Sequence, residues 1–235
     1  AGKEKALIAA RIALAAIALL WQTPSNALKG FNLLYDGSVR RQRTLCFSPA
    51  NIIHFGSHLS HLPQGPYLAP GKWVEMLTRR RAHFKIVGDI LYYWLNPVDK
   101  GGRPRLMNTL LQALLWFHEA CRENVALMAI IKFTACLDGL ACGKEEQGIL
   151  RLLDAQLGIK PQILVSADGP KVQQVIGKIY AEGRSRTIHG TNEKLGYDWS
   201  LTAGNAQQLA RLCLLRCIEW AARNPASDDP KGLSK

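Results

Sequence analysis

The segment 201–223 places the strongest constraint on this chain. Within it Ala206, Leu209, Cys213, Cys217 and Trp220 recur at steps of three and four. That is the period of one face of an α-helix, so the segment must lay an apolar stripe against a core. The same reading holds wherever Pro and Gly leave the chain uncut. A first helix is predicted over 5–21, closed by Thr23-Pro24, and a second over 25–35, ending at Asp36-Gly37. Residues 40–48 are basic and irregular, with room for one short strand. Ser48-Pro49 supplies an N-cap and first-turn pair for a helix that must stop before Pro63. A long helix is predicted over 72–95, two more within 106–140, then 149–157, 170–189 and the segment 201–223. The expected class is all-α. Residues 62–71, with three prolines and two glycines, form the best linker. This divides the chain into N-terminal helices and a basic linker (1–70) packed on a helical bundle (71–225). A polar tail (226–235) is expected to fray.

Composition excludes several classes. At 48% apolar content the chain buries a real core, and wholesale disorder is excluded. Thirty Lys and Arg against 18 Asp and Glu leave a formal charge of +12, which calls for an anionic partner, nucleic acid first. Six cysteines without a C-x-x-C pair suit neither a disulfide scaffold nor a zinc ribbon, and indicate a reducing, cytoplasmic setting. Cys213 and Cys217 share the last helix's apolar stripe, so packing is the better account of them. The apolar run 6–21 imitates a signal peptide, but Arg11 interrupts it and it is short for a span; it reads as a core helix, with no membrane partner. The chain begins at Ala1, which suits a trimmed chain or a piece of something longer.

Three constellations bear on chemistry. His54, His58 and His61 would share one face of the helix begun at Ser48-Pro49. No acidic residue lies between Arg43 and Lys72 to complete a metal site, so these histidines read as a solvated or RNA-facing surface. Arg40, Arg41 and Arg43, and the run Arg79-Arg80-Arg81, are candidate phosphate contacts. The third is Ile179-Tyr180-Ala181-Glu182-Gly183-Arg184-Ser185-Arg186-Thr187-Ile188-His189-Gly190. An Arg and a His four residues apart are the parts of metal-free RNA cleavage. His189 moves protons, and Arg184 offers a planar donor fork to a phosphate that gains charge. Gly190 suits a helix C-cap, placing His189 at the negative end of the dipole with Arg184 and Arg186 opposing. On a regular helix the two side chains stand about 140° apart, so the helix distorts, the Arg wraps back, or a second copy completes the site.

Tyr180, Arg184-Ser185-Arg186 and His189-Gly190 together resemble the signature of the HEPN superfamily, R-x4-6-H with a polar residue after the Arg. The R-S-basic-x-x-H-G form is similar to its ApeA-like branch. Residues 110–120 resemble the helix preceding the family's "alE.L" helix, which here falls on 133–140, with Asp138 where the branch has Glu. The resemblance covers 72–223, and the first two helices more loosely. It implies a HEPN-type bundle with extra N-terminal helices, dimerising so that two R-x4-H motifs line one cleft. It also implies a metal-independent endoribonuclease of prokaryotic toxin or antiphage defence systems, needing no cofactor, with an antitoxin or another defence protein as a possible partner. The implied roles are Arg184 on the transition-state phosphate, Ser185 as orienting group, His189 as acid/base and Asp138 in support. Arg186, Arg79, Arg80, Arg81, Arg40 and Arg41 would contact RNA. The alternatives are a non-catalytic RNA- or nucleotide-binding module and a structural dimerisation module of a larger defence protein.

Overall fold

Three helices begin with proline in the first turn, where the missing N–H has no partner to lose: α2 (Pro24–Gly30), α3 (Pro70–Arg79) and α5 (Pro104–Cys121). The others are α1 (Gly2–Ala18), α4 (Arg81–Leu95), α6 (Ala126–Leu140), α7 (Glu145–Leu157), α8 (Val172–Gly177), α9 (Arg186–Ile188) and α10 (Ser200–Arg223). A π-helical segment, Lys178–Ser185, joins α8 to α9, and a 3₁₀ turn, Pro230–Ser234, closes the chain. The computed structural model describes residues 2–30, 41–47, 53–59, 69–96, 98–99 and 101–235. The class is all-α, with one two-stranded antiparallel sheet among the described residues. Among the described residues no single helix is long and apolar enough to cross a membrane.

The core is built on α5, α6 and α10. Phe117 and Phe133, both almost wholly buried, meet at 5.8 Å between ring centroids and 61°, an edge-to-face contact joining α5 to α6. The apolar stripe predicted for 201–223 lies against them: Ala206, Cys213 and Cys217 are fully buried, and Leu209 and Trp220 pack on the same cluster. Burial pushes the Cys213 thiol up to about 12 and holds Cys136 and Cys217 well above their ordinary value, so these thiols serve as apolar filler. Helix α1 packs on α5 and α4 through Ile12, Ala15, Ala16 and Ala18, as its run of small apolar residues demands.

Three expectations change. The predicted helix carrying the histidines is instead strand β2 (Ile53–Leu59), paired antiparallel with β1 (Arg41–Phe47); His54 lies opposite Cys46 and His58 opposite Gln42. The apolar residues Ile53, Phe55 and Leu59 alternate with polar or small ones, which is the period of a strand. His61 and Arg40 lie outside the described residues. The single helix over 72–95 breaks at Arg80 (φ −109°, ψ 24°). Beyond the break α4 carries His83, Ile86, Val87 and Ile90 inward, whereas α3 buries none of its residues and brings Trp73 against Trp21 at 6.1 Å. Third, the tail docks instead of fraying. Leu233 is fully buried, its carbonyl accepts from Gln156 Nε2 at 2.6 Å, and Asp228 Oδ1 accepts the Leu106 amide at 2.9 Å, capping α5. Gly232 lies so close beneath Trp220 that a Cβ there would stand 2.8 Å from the ring.

Candidate functional site

The segment 172–190 enters as α-helix, widens to i→i+5 turns at Lys178 and narrows again at Arg186. Gly183 permits the wide turn to touch its neighbour: it is buried, and a Cβ there would fall 2.7 Å from Ile130 Cγ2 of α6. Widening leaves a backbone acceptor over. The Arg186 amide bonds Ala181 O and the His189 amide bonds Ser185 O at 3.0 Å, so the carbonyls of 182, 183 and 184 face only the amides of 187 and 188. Asn192 supplies the missing donor, with its Nδ2 3.3 Å from Glu182 O and 2.7 Å from Thr187 Oγ1. Its own Oδ1 accepts the Lys194 amide at 2.9 Å. Lys194 Nζ meets Glu182 Oε2 at 2.9 Å, and that contact holds the Glu182 carboxyl below its ordinary range. Trp199, buried, donates its indole N–H to Lys194 O. The loop after the motif is thereby fastened to the π segment at several points.

Arg184 stands at the end of that segment, partly buried. Its Nη1 donates to the Tyr180 hydroxyl at 2.7 Å, its Cζ lies 4.9 Å from the centre of the Tyr180 ring, and its Nη2 faces Asp138 Oδ2 at 3.7 Å. Asp138 Oδ1 also accepts the Glu145 amide at 3.2 Å, so one carboxylate joins the start of α7 to the motif arginine. The turn between α6 and α7 is tight, with Cys142, Gly143 and Glu145 all at positive φ. Burial raises the Tyr180 phenol above its ordinary value, and the Arg184 charge opposes that rise. The Tyr180 hydroxyl is therefore held as a neutral acceptor for the guanidinium.

His189 closes the helix. The Gly190 amide bonds Thr187 O at 3.3 Å and the Thr191 amide bonds Arg186 O at 2.8 Å, with Gly190 at φ 70°: a complete Schellman end, as the C-cap reading of Gly190 anticipates. The His189 side chain is exposed, as are Arg186 and Ile188, and no hydrogen bond or ion pair joins it to Arg184. Because the turn 185–189 is α-helical, the π segment does not swing His189 toward Arg184. The structure thus brings Asp138 to Arg184 and leaves His189 apart, with Ser185 between them offering its carbonyl. Among the described residues, no three His, Cys, Asp or Glu side chains come together as metal ligands do.

No family model, curated protein or solved structure matches this chain. The other candidate contacts are scattered. Arg79 pairs with Glu75 at 2.8 Å, Arg80 faces Glu219 at 3.7 Å, Arg81 is exposed, and Arg41 opens β1 opposite Leu59. Sequence reasoning assigned no role to Tyr180 or Asn192. Tyr180 has a legible signal in its position four residues before Arg184, one helical turn away. Asn192 has none, since its part depends on the π turn.

Proposed function

We propose that this chain is a metal-independent endoribonuclease of the HEPN type, working on RNA through Arg184 and His189. The observation that carries the reading is the built environment of Arg184. A guanidinium steered by one carboxylate and one phenol, and still part-exposed, is a preorganised donor for a phosphate whose charge grows in the transition state. Five N–H donors on that group leave several for an anion after Tyr180 is served. Asp138 and Tyr180 act as positioning residues. His189, on a rigid Schellman end, takes the proton from a ribose 2′-OH and returns one to the leaving 5′ oxygen, giving 2′,3′-cyclic phosphate and 5′-OH ends.

The separation of His189 from Arg184 within one chain supports a homodimer in which the two motifs share a cleft. Ile188, Leu195, Tyr197 and Leu201 are exposed around the motif and offer the apolar area that offsets gathering four arginines, Arg184 and Arg186 from each copy. A cytoplasmic setting and an antitoxin or other defence protein as partner belong to this same reading. A second reading, an RNA-binding module without cleavage, draws support from the Arg184 guanidinium already being engaged by Asp138 and Tyr180.

One assay separates the two. Purified protein in EDTA is mixed with end-labelled RNA and the product ends are mapped. Cleavage leaving cyclic phosphate ends is expected, with His189→Ala lower by a factor on the order of 10² or more. Cleavage that needs Mg²⁺, or that survives His189→Ala, removes the mechanism. Binding without cleavage selects the second reading.

A further inference from the structure

Away from the motif, an open cleft of about 490 Å³ lies between the turn after α1 and the outer helix α3. Its walls hold Trp21 and Gln22 on one side and Lys72, Glu75, Arg79 and Arg80 on the other. Glu75 steers two of the cations, with Lys72 Nζ at 2.9 Å from one oxygen and Arg79 Nη2 at 2.8 Å from the other. Arg80 faces Glu219 behind the cleft at 3.7 Å, so two carboxylates stand against three cations and the cleft keeps one positive charge in excess. Behind it Arg211 donates to Leu19 O at 3.0 Å. Burial first, and then the charge of Arg80, weaken the hold of Arg211 on its proton. Trp21 gives the cleft an aromatic wall, and Trp73 of α3 packs against that ring at 6.1 Å, tilted by 58°, which holds it in place.

We infer that this cleft is a binding site for a single-stranded nucleotide segment, one base stacking on Trp21 while the phosphates on either side meet Arg79, Arg80 and Lys72. Flat aromatic surface beside a positive groove is the combination that holds single strands without sequence readout. Gln22 is placed to bond the base edge. A concave wall of this size suits a ring better than a membrane surface does. The choice of RNA as the polymer rests on the function proposed above, but occupancy of the cleft requires no cleavage.

The test uses the full chain and a fluorescent 2′-O-methyl oligouridylate of about eight nucleotides, which lacks the 2′-OH that cleavage needs. Binding is read by anisotropy across a salt series. Trp21→Leu is expected to weaken binding by about 5- to 150-fold, and Trp21→Phe to keep most of it. Arg79→Gln with Arg80→Gln changes side chains that are 77% and 52% exposed, so folding is retained. It should flatten the log–log salt slope by about 0.7 for each phosphate that is no longer neutralised. Affinity and slope unchanged in both variants overturn the site. Phosphatidylserine vesicles displacing the oligomer would overturn it too, assigning the face to a membrane surface. Oligomer bound at the cleft with no RNA cut removes the nuclease alone; RNA cut while both variants bind as wild type removes the cleft alone.

Discussion

Two arginine-bearing regions of the molecule invite comparison. Arg184 is held from three sides, by the Tyr180 hydroxyl, the Tyr180 ring and Asp138, on a helix whose wide turn is wedged against Ile130. Arg79 and Arg80 stand at a bare helix break, each facing one carboxylate and mostly exposed. The first arrangement fixes where a cation points. The second supplies charge with a choice of positions. A transition state needs the former, because a donor that must reorganise during the reaction loses its advantage. Loose binding of a polymer tolerates the latter.

The sharpest way to break this contrast is Gly183→Ala. The new methyl meets Ile130 Cγ2 and Lys178 O, so the π turn or α6 has to give. A cost of about 1–3 kcal/mol in urea unfolding is expected, together with loss of whatever activity depends on Arg184. A neutral result would show that the wedge is not what holds the segment.

Arg184→Gln against Arg80→Gln sharpens the contrast at matched chemistry. At position 184 the change leaves the Asp138 carboxylate without its cation and should lower RNA cleavage by about 10²–10³, like the loss of one oxyanion donor. At position 80 stability should move by no more than about 0.5 kcal/mol and cleavage at saturating RNA hardly at all. Equal effects at the two sites would dissolve the distinction.

The smallest effect concerns pH. His83, one turn beyond the break, is buried with Nε2 3.1 Å from Ala16 O. Burial first, and then the charge of Arg80, lower its pKa beneath 6.5; Ala16 O and Glu219 on α10 pull the other way. A His whose folded pKa lies below its unfolded value takes up protons more readily when unfolded. Its contribution is therefore complete above the unfolded value of about 6.5 and is lost progressively as pH falls from there through the lower folded value. Urea midpoints at pH 7.5 and 5.5 should differ less in His83→Leu than in wild type.

How much of this is legible in the sequence varies by element. The stripe Ala206–Trp220 announces α10 because a repeat of three and four has one solution for a buried helix. Resemblance alone places Asp138 beside the motif, and it lies 3.7 Å from Arg184. The stretch around His54 reads wrongly as helix because Ser48-Pro49, a good helix start, outweighs the alternation of Ile53, Phe55 and Leu59. Local caps weigh little against a ladder formed with a partner strand.

What the sequence determined by itself is the all-α class, the location of most helices and the segment carrying Arg184 and His189, since periodicity, prolines and the C-capping glycine act locally. The tertiary structure decided the rest. The π turn exists where Gly183 meets Ile130 and Asn192 answers a spare carbonyl, a match between residues far apart or out of register. The tail is ordered because Leu233 finds a buried place and Asp228 finds the start of α5. The break at Arg80 carries neither Pro nor Gly; it goes with the burial of α4 and the lack of any buried residue in α3. Each of these depends on which distant groups arrive at the same place, and that information appears only when the chain is packed.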